Sequence, residues 1–486
     1  MRQYTDIGYG ILRWVSYGGT FHNFYMFHGG TNFARTAGYT VTTSYANDVM
    51  VDSDGQRHEP NFSYFQSLFQ ALNFCAQDIL STSPKPDPEG LGPLQESFVF
   101  GDCAFLSNWD NSSNSSAVVF EGREFILSNH SVVIYDLTRD TILFDSSIVN
   151  TSSWPFIYTS TRTSTWEYYQ EDVASGAQKQ CSTSGAVEQL TLTQDQFEWL
   201  WYSTNVTIVP GEHVNVTMED LPDDEAVYAY LNGRLLGKVM PAGTDYSPPV
   251  RGRRLASLVL EHTSILADGR APIGIEEGQS RLDLLVAAHG ISTAVSASSF
   301  PEKGIVGPVW VNGEDVNTNA SAWCMTWELP GEEKQIYTES GTSAVQWTTL
   351  DGDGTFAHNS TLLWFKAFLD RPVKPANNDV SYALNLTSMN KGFAFINGHN
   401  LGRFWLLPAD CPEPVWPVKD GRHYMFYRSG ACKMPTQRFY HVPQDWLKDE
   451  GNLVVLFEEG DDDQFFNTTR RPQDVQLIAF TGHLPV

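Results

Sequence analysis

The chain has 486 residues, of which 13% are aromatic and 18% are charged, and its formal net charge is -26. At roughly 150 residues per domain, this length predicts three or four globular domains. Because 57 acidic residues outnumber 31 basic ones, the protein would repel nucleic acid and anionic membrane surfaces, whereas neutral substrates such as sugars suffer no such penalty.

The first elements predict the order helix, strand, loop, helix, which is typical of a parallel α/β fold. Apolar residues at helical spacing predict an amphipathic helix over 3–16 that ends at Gly18-Gly19. The aromatic run 21–27 predicts a buried strand, followed by a long polar loop to Pro60. Further apolar spacing from Phe62 to Ile79 predicts a second helix.

Beyond the linker-like stretch SPKPDPEG at 83–90, the chain consists of short β-branched or aromatic runs separated by turn signals. Examples are FEGREFILSNHSVVIYDL, QLTLT, LWYSTNVTIV, RLDLLVAAHG and NLVVLFEEG. YAYLNGRLLGK at 228–238 and AFINGHNLGRF at 394–404 each predict a hairpin with an Asn-Gly turn. This repeat predicts a duplicated, jelly-roll-like β-sandwich.

The cysteines predict no zinc site, because they are far apart and lack the spacing of zinc ligands. Cys411 and Cys432 flank a Pro-rich stretch and are the best candidate disulfide pair, although spacing alone does not fix the pairing. No apolar run approaches the roughly 18 residues of a membrane span, so membrane insertion is not expected.

Asn-x-Ser/Thr sequons are several times more frequent than chance predicts, which favours passage through the secretory pathway. They begin at Asn61, Asn111, Asn114, Asn129, Asn150, Asn205, Asn215, Asn319, Asn359, Asn385 and Asn467. The first residues, MRQYTDIGYGILRW, have none of the features of a signal peptide.

The segment FHNFYMFHGGTNFARTAG followed by TTSYANDVMVDSDG resembles the last strand and loop of the catalytic barrel in family 35 glycoside hydrolases, the β-galactosidases. Those enzymes read NxYMxxGGTNFG and then TSYDYDAPIDE-G. Later segments resemble the plant-type branch in order and spacing, among them CAFLSNWD, KGIVGPVWVNG, SMNKGFAFINGHNLGRFW and QRFYHVPQDWLKDEGNLVVLFEE.

The resemblance implies hydrolysis of terminal non-reducing β-D-galactose with retention of configuration. That reaction needs two carboxyl groups about 5 to 5.5 Å apart and no cofactor. The family's two catalytic glutamates have no counterpart in this chain, so we expect a barrel remnant that is inactive alone. The missing part of the barrel would also carry any signal peptide.

The resemblance further implies three substrate-binding positions. Tyr25 matches the tyrosine of the NxYM strand, and Tyr45 lies in the loop that follows. Asn47 replaces the tyrosine through which family members contact galactose, which removes an aromatic surface for the sugar ring.

Structural interpretations are favoured for the other conspicuous residues. We expect His28 to be non-catalytic, Thr31 and Asn32 to satisfy turn backbone groups, and the loop acids to form a solvated face. The pairs Asn232-Gly233 and Asn397-Gly398 are expected to be hairpin turns, and Trp199, Trp201 and Trp405 to be buried sandwich residues.

The sequence thus predicts a mainly β protein with a remnant of a (β/α)8 barrel and galactose-binding-like jelly rolls. The expected domains are 1–82 (barrel remnant), 83–180 (small β domain), 181–335 (first jelly roll) and 336–486 (second jelly roll). β-Galactosides or galactose-containing glycans are the expected partners, and the oligomeric state stays open. Sequons and family favour a secreted, cell-wall or vacuole/lysosome-like location.

Two alternatives remain open at this stage. One is a non-catalytic carbohydrate-binding or scaffold protein derived from the family, and the other is a structural sandwich protein without a ligand.

Overall fold

The computed structural model describes most of the chain. The described residues are 4–38, 49–112, 115–148, 156–208, 214–222, 225–240, 253–260, 278–290, 302–316, 322–350, 361–375, 379–406, 435, 437–460 and 471–482.

The described helices are few and short, and β-strands make up most of the regular secondary structure in the described residues. The helices are α1 (Tyr4–Ser16), α2 (Asn61–Phe74), α3 (Ala76–Ser81), α4 (Gln189–Thr193) and α5 (Pro330–Glu333), with 3-10 turns at Gly341–Ala344, Gln444–Trp446 and Pro472–Asp474. The two predicted N-terminal helices and the mainly β composition are therefore confirmed. No described helix has both the length and the apolar character needed to cross a bilayer.

A small β unit follows the first three helices. Its strands are β1 (Glu89–Gly90), β2 (Gln95–Phe100), β3 (Cys103–Asn108), β4 (Ser116–Phe120), β5 (Arg123–Leu127), β6 (Ser131–Asp136) and β7 (Thr141–Asp145). Five of them form an antiparallel sheet in the order β1-β2-β3-β6-β7, and β4 and β5 form a hairpin over one face.

The other face of this sheet packs against α1 and α2 in one hydrophobic core. Leu12 and Leu68 from the helices meet Phe98 and Phe105 from the sheet, and all are essentially inaccessible to solvent. Burial of each such side chain stabilises the contact by roughly 2 kcal/mol. Helices α1 and α2 are therefore packed firmly on the small β unit.

The predicted strand over 21–27 is also wrong, because this segment has no regular secondary structure and belongs to no sheet. A parallel strand needs a neighbour for its hydrogen bonds, and the segment offers only an isolated bridge from His28 to Val51. Three of its aromatic side chains are consequently exposed, with 77% of Phe21, 79% of Tyr25 and 49% of Phe27 accessible, whereas Phe24 packs on Phe65 and Phe69 of α2.

The described residues beyond the small β unit form two β-sandwiches. Their strands are β8 (Ile157–Thr161), β9 (Glu167–Gln170), β10 (Gln180–Ser182), β11 (Trp199–Ile208), β12 (Val214–Pro222), β13 (Ala226–Leu231), β14 (Arg234–Val239), β15 (Arg253–Leu260), β16 (Gly278–Ala287), β17 (Val309–Val311), β18 (Glu314–Asp315), β19 (Trp323–Trp327), β20 (Thr348–Thr349), β21 (Leu363–Leu369), β22 (Ser381–Asn385), β23 (Lys391–Ile396), β24 (His399–Trp405), β25 (Phe439–Val442), β26 (Asn452–Glu458) and β27 (Gln476–Thr481).

Each sandwich joins a six-stranded sheet to a four-stranded one. The first sandwich has the orders β10-β19-β11-β16-β13-β14 and β15-β12-β17-β18, and the second has β20-β9-β21-β26-β23-β24 and β25-β22-β27-β8. Each pair of sheets encloses its own apolar core. Strands β8 and β9 lie early in the chain but pair within the second sandwich, so chain order alone does not define the sandwiches. The domain boundaries given above stay predictions.

The two Asn-Gly hairpins occupy equivalent places, as the last two strands of each six-stranded sheet. Asn232 and Gly233, like Asn397 and Gly398, have positive φ, as a two-residue hairpin turn requires. The Oδ1 of Asn232 accepts from Arg281 N, and the Oδ1 of Asn397 accepts from Leu453 N, each at 2.9 Å. The matching positions and bonds support the predicted duplication.

One predicted strand, QLTLT, is instead the short helix α4. The carboxylate of Glu188 accepts hydrogen bonds from Leu190 N and Thr191 N at 2.9 and 2.7 Å, which satisfies two amides of the first turn. A local cap thus overrides the β propensity of the run.

Two disulfides are present among the described residues, and neither was predicted. Cys75–Cys103 ties the end of α2 to the small β unit, and Cys181–Cys324 joins paired positions of β10 and β19. The predicted pair Cys411 and Cys432 lies outside the described residues.

Candidate functional site

The candidate site is a rim formed by residues 25–38 and 49–58. Tyr25 projects into solvent at one end of it, followed by the segment Gly29-Gly30-Thr31-Asn32. The hydroxyl of Thr31 donates to Ser53 O at 2.5 Å, which joins the two parts of the rim. Thr31 thus bonds a backbone group, but one 22 residues away rather than within its own turn as predicted.

The second part of the rim turns back against the first. Met50 N and Val51 N both donate to Phe27 O, at 3.1 and 3.2 Å, and Asp52 N donates to Gln56 O at 2.8 Å. These backbone bonds hold residues 49–56 as a compact turn beside the first part of the rim.

The acidic side chains of this turn have structural partners rather than forming a solvated face. Asp52 contacts the ring of His58 at 2.8 Å, and Asp54 accepts from Gln56 N at 2.9 Å. Glu59 caps the start of α2 by accepting from the amide and hydroxyl of Ser63 at 3.1 and 2.7 Å. The predicted solvated face is therefore wrong for Asp54, which is buried by this turn.

Of the three predicted substrate-binding residues, the structure places only Tyr25. Tyr45 and Asn47 lie outside the described residues, so their roles stay predictions. The hydroxyl-bearing ring of Tyr25 combines an apolar face with a hydrogen-bonding tip, which suits contact with a sugar.

An open apolar groove of about 370 Å³ lies beside the rim. Phe27 and Met50 from the rim line it, together with Phe62, Phe65 and Phe69 on one face of α2. A groove of this composition offers a surface for apolar packing rather than for polar chemistry.

A buried ionic junction connects the rim to both sandwiches. Glu198 of the first sandwich accepts from Arg35 of the rim at 3.3 Å and from Arg403 of the second sandwich at 3.2 Å. Burial opposes ionisation of this carboxyl, but the guanidiniums of Arg403 and Arg35 outweigh it and hold the pKa of Glu198 below its ordinary value.

The rim also packs on aromatic residues of the second sandwich. The ring of Phe33 lies 4.8 Å from that of Trp446 and 6.3 Å from that of His441. Burial and, to a smaller extent, the nearby His28 together lower the pKa of His441 to about 4, so His441 is neutral at physiological pH.

The three conspicuous tryptophans do not contribute to this rim. Trp199, Trp201 and Trp405 are buried in the apolar cluster between the two sandwiches, as predicted. Among the described residues, no group of three or more His, Cys, Asp and Glu side chains converges as metal ligands would.

Sequence reasoning missed Gln56, Glu198 and Arg403, which are buried polar residues that connect the rim to the sandwiches. Their roles could not be read from local patterns, because each finds its partners far away in the chain. The only available signal was the position of Arg403 within the GHNLGRFW strand, directly after a predicted hairpin.

Comparison with known proteins gives two family matches. The model "Glycosyl hydrolases family 35" matches residues 2–72, and "Beta-galactosidase, galactose-binding domain" matches residues 362–452. The first match contains the whole rim, and the second contains β21 to β25.

Two plant proteins are similar over nearly the whole chain. Beta-galactosidase 6 of Oryza sativa subsp. japonica is 28% identical over 510 residues, covering 98% of this chain and 56% of its own length. Beta-galactosidase 8 of Arabidopsis thaliana is 28% identical over 519 residues, covering 100% and 56%. The chain thus spans about half the length of these curated relatives.

Among solved structures, a β-glucuronidase of Bifidobacterium dentium matches 50% of this chain and 38% of its own, at 11% identity and a TM-score of 0.16. A score this low supports no argument about fold or function.

Proposed function

We propose that this chain, a relative of the family 35 glycoside hydrolases, forms the sugar-site rim and the β-sandwich portion of a retaining β-galactosidase. The observation that carries the proposal is the rim itself, in which the exposed Tyr25 precedes the GGTN segment. The rim packs on the second sandwich, and that sandwich contains the residues matched by the galactose-binding model. The proposed substrate is a glycan or glycoside with terminal β-linked galactose.

The proposed reaction needs two carboxyl groups about 5 to 5.5 Å apart, one as nucleophile and one as acid and base. The rim acids are committed to structural partners: Asp52 to His58, Asp54 to a backbone amide and Glu59 to the helix cap. We therefore propose that the chain does not hydrolyse galactosides alone, and that another polypeptide segment supplies the glutamates.

We further propose that residues 4–81 are the closing part of a (β/α)8 barrel. The exposed aromatic segment 21–27 would then be a barrel strand that pairs when its neighbours are present, and the groove along α2 would be covered by them. Tyr25 would face the sugar from the carboxyl end of that strand, where such barrels bind ligands.

A non-catalytic carbohydrate-binding or scaffold protein is the second candidate. The observation that favours it is Asn47 in place of the family's galactose-contacting tyrosine, because a binding module without catalysis places a weaker demand on that contact.

Release of nitrophenol from nitrophenyl β-galactoside tests the first candidate, between about pH 4 and 7, where carboxyl pairs operate. The chain would be assayed alone and after co-expression with a polypeptide that carries both family glutamates. We expect turnover only from the complex, with a loss in Tyr25→Phe. Turnover by the chain alone would contradict its inactivity, whereas an assembled but inactive complex that binds galactosides would favour the second candidate.

We also propose that the protein is secreted, on the basis of its sequons. Occupancy of these sites, measured by mass spectrometry on protein from a eukaryotic secretory host, tests this proposal. Absence of glycan from every exposed sequon would contradict it.

A further inference from the structure

The sandwiches hold the rim through two buried polar anchors, and the first is the Arg403 guanidinium. Only 2% of Arg403 is exposed. One of its nitrogens donates to Gly38 O and to His289 O, both at 3.3 Å, and the other donates to Glu198 at 3.2 Å. A single side chain of β24 therefore joins the rim to both sandwiches.

The second anchor is the side-chain amide of Gln56, which is 4% exposed. Its nitrogen donates to Ser381 Oγ at 2.7 Å and to Asp379 O at 3.1 Å, while its oxygen accepts from Gly482 N at 3.2 Å. Ser381 Oγ in turn donates to Asp54 O at 2.7 Å. The side-chain amide of Gln56 thus both donates hydrogen bonds to the second sandwich and accepts one from it.

Two glycines shape the sandwich surface to receive the rim backbone. Gly402 has φ +106, and a Cβ there would lie 3.1 Å from Asn32 O. Gly290 has φ +72, and a Cβ there would lie 2.5 Å from Ala37 O. Because both positions combine a left-handed backbone with close approach, side chains are excluded where the rim contacts the sandwiches.

We propose that Arg403 and Gln56 are positioning residues for the sugar-contacting rim, so that the β-sandwiches set the geometry with which the rim meets galactose. That the rim contacts galactose rests on the proposed function. That the two residues anchor the rim rests on the contacts described above. Each anchor holds one part of the rim, Arg403 the part that ends at Gly38 and Gln56 the part that begins at Val49. Loss of an anchor should therefore loosen the rim without unfolding the sandwich cores.

Hydrogen exchange followed by mass spectrometry of the full chain tests the anchoring. We expect Gln56→Ala to accelerate exchange over 49–58, and Arg403→Lys to accelerate it over 33–38, each by about tenfold. Exchange in β26 should be unchanged in both. Arg403→Lys keeps the charge but cannot make the forked contacts, so it isolates geometry from electrostatics.

Gln95→Ala is the matched control for the glutamine. Gln95 is equally buried, and its amide donates to Asn108 and Ser116 within the small β unit rather than to the rim. Its removal should leave rim exchange unchanged. Unchanged rim exchange in both anchor variants, or acceleration of rim and β26 together, would overturn the inference.

A second arm adds galactose at a concentration near 100 mM, a generous excess for a weak sugar site. In the unsubstituted chain we expect protection over 21–38, and in the anchor variants we expect that protection to be lost. Absence of protection in the unsubstituted chain would refute the sugar contact. The anchoring would then be judged by the exchange rates measured without galactose.

Discussion

The buried carboxyl of Glu171 should make the folded protein more stable in acid than in alkaline solution. This buried residue follows β9, and its Oε1 accepts from Gly331 N at 2.7 Å and from Trp364 Nε1 at 2.8 Å. It thereby fastens α5, whose neighbours Leu329 and Ile336 are buried between the two sandwiches, to the second sandwich. The substitution Glu171→Gln keeps an acceptor oxygen in place and removes the ionisable proton.

Burial raises the pKa of Glu171 from 4.5 to about 7, against the opposing effect of its two hydrogen bonds and of Lys334, while Asp172 adds to the rise. The folded state therefore holds a proton that the unfolded state has lost between these pH values. Stability is fully present below about pH 4.5 and is lost as pH rises through 7. At about 1.4 kcal/mol per pKa unit, the interval corresponds to roughly 3 kcal/mol.

Burial also raises the pKa of the neighbouring Glu332 to about 8, with the Leu329 amide opposing the rise and the Glu171 carboxylate adding to it. This side chain keeps part of its surface exposed, so the magnitude is taken from Glu171 alone. The direction is the same for both residues, so the two carboxyls reinforce the loss of stability at high pH.

Urea unfolding followed by tryptophan fluorescence at pH 4.5 and 8.5 measures the effect. The unsubstituted protein should lose roughly 3 kcal/mol over this range beyond the loss in Glu171→Gln, which should be the more stable of the two at pH 8.5. Glu333→Gln, at an exposed position of the same helix, is the control and should follow the unsubstituted protein. Equal pH dependence in Glu171→Gln and the unsubstituted protein would refute the reasoning.

Three further predictions concern the scaffold. Gly392→Ala places a methyl group on a carbonyl oxygen of the paired strand and should abolish soluble expression, whereas Gly10→Ala, with open space around it, should leave the melting temperature unchanged or slightly raised. Cys75→Ser opens a loop of 28 residues and should lower the free energy of unfolding by roughly 3 to 4 kcal/mol in denaturant titrations; an unchanged midpoint would contradict the prediction. On protein from a eukaryotic secretory host, mass spectrometry should find glycan at the exposed Asn205 and none at the buried Asn61; the reverse pattern would count against the packing of α2.

The family resemblance and the local elements could be predicted because their signals are contiguous in the sequence. The Asn-Gly pairs fix two hairpins through backbone geometry that few other residues adopt, and helical spacing marks α1 and α2. The confirmed resemblance likewise rests on ordered motifs along the whole chain.

The anchors of the rim could not be predicted, because they depend on contacts between distant parts of the chain. Gln56 meets Ser381, and Arg35 meets Glu198, across separations that no local pattern records. The prediction of a strand over 21–27 was wrong for a related reason, because a segment with strand propensity forms a strand only when a neighbouring strand is present to pair with it.

The two six-stranded sheets meet through equivalent surfaces. Tyr228 and Tyr230 flank the first Asn-Gly turn as Phe393 and Phe395 flank the second, and all four enter the apolar cluster that the sandwiches share. Contact between the same face of two copies is the arrangement of a twofold homodimer. The tandem arrangement therefore packs like surfaces of two similar sandwiches against each other inside one polypeptide, with a covalent connection in place of a concentration-dependent equilibrium.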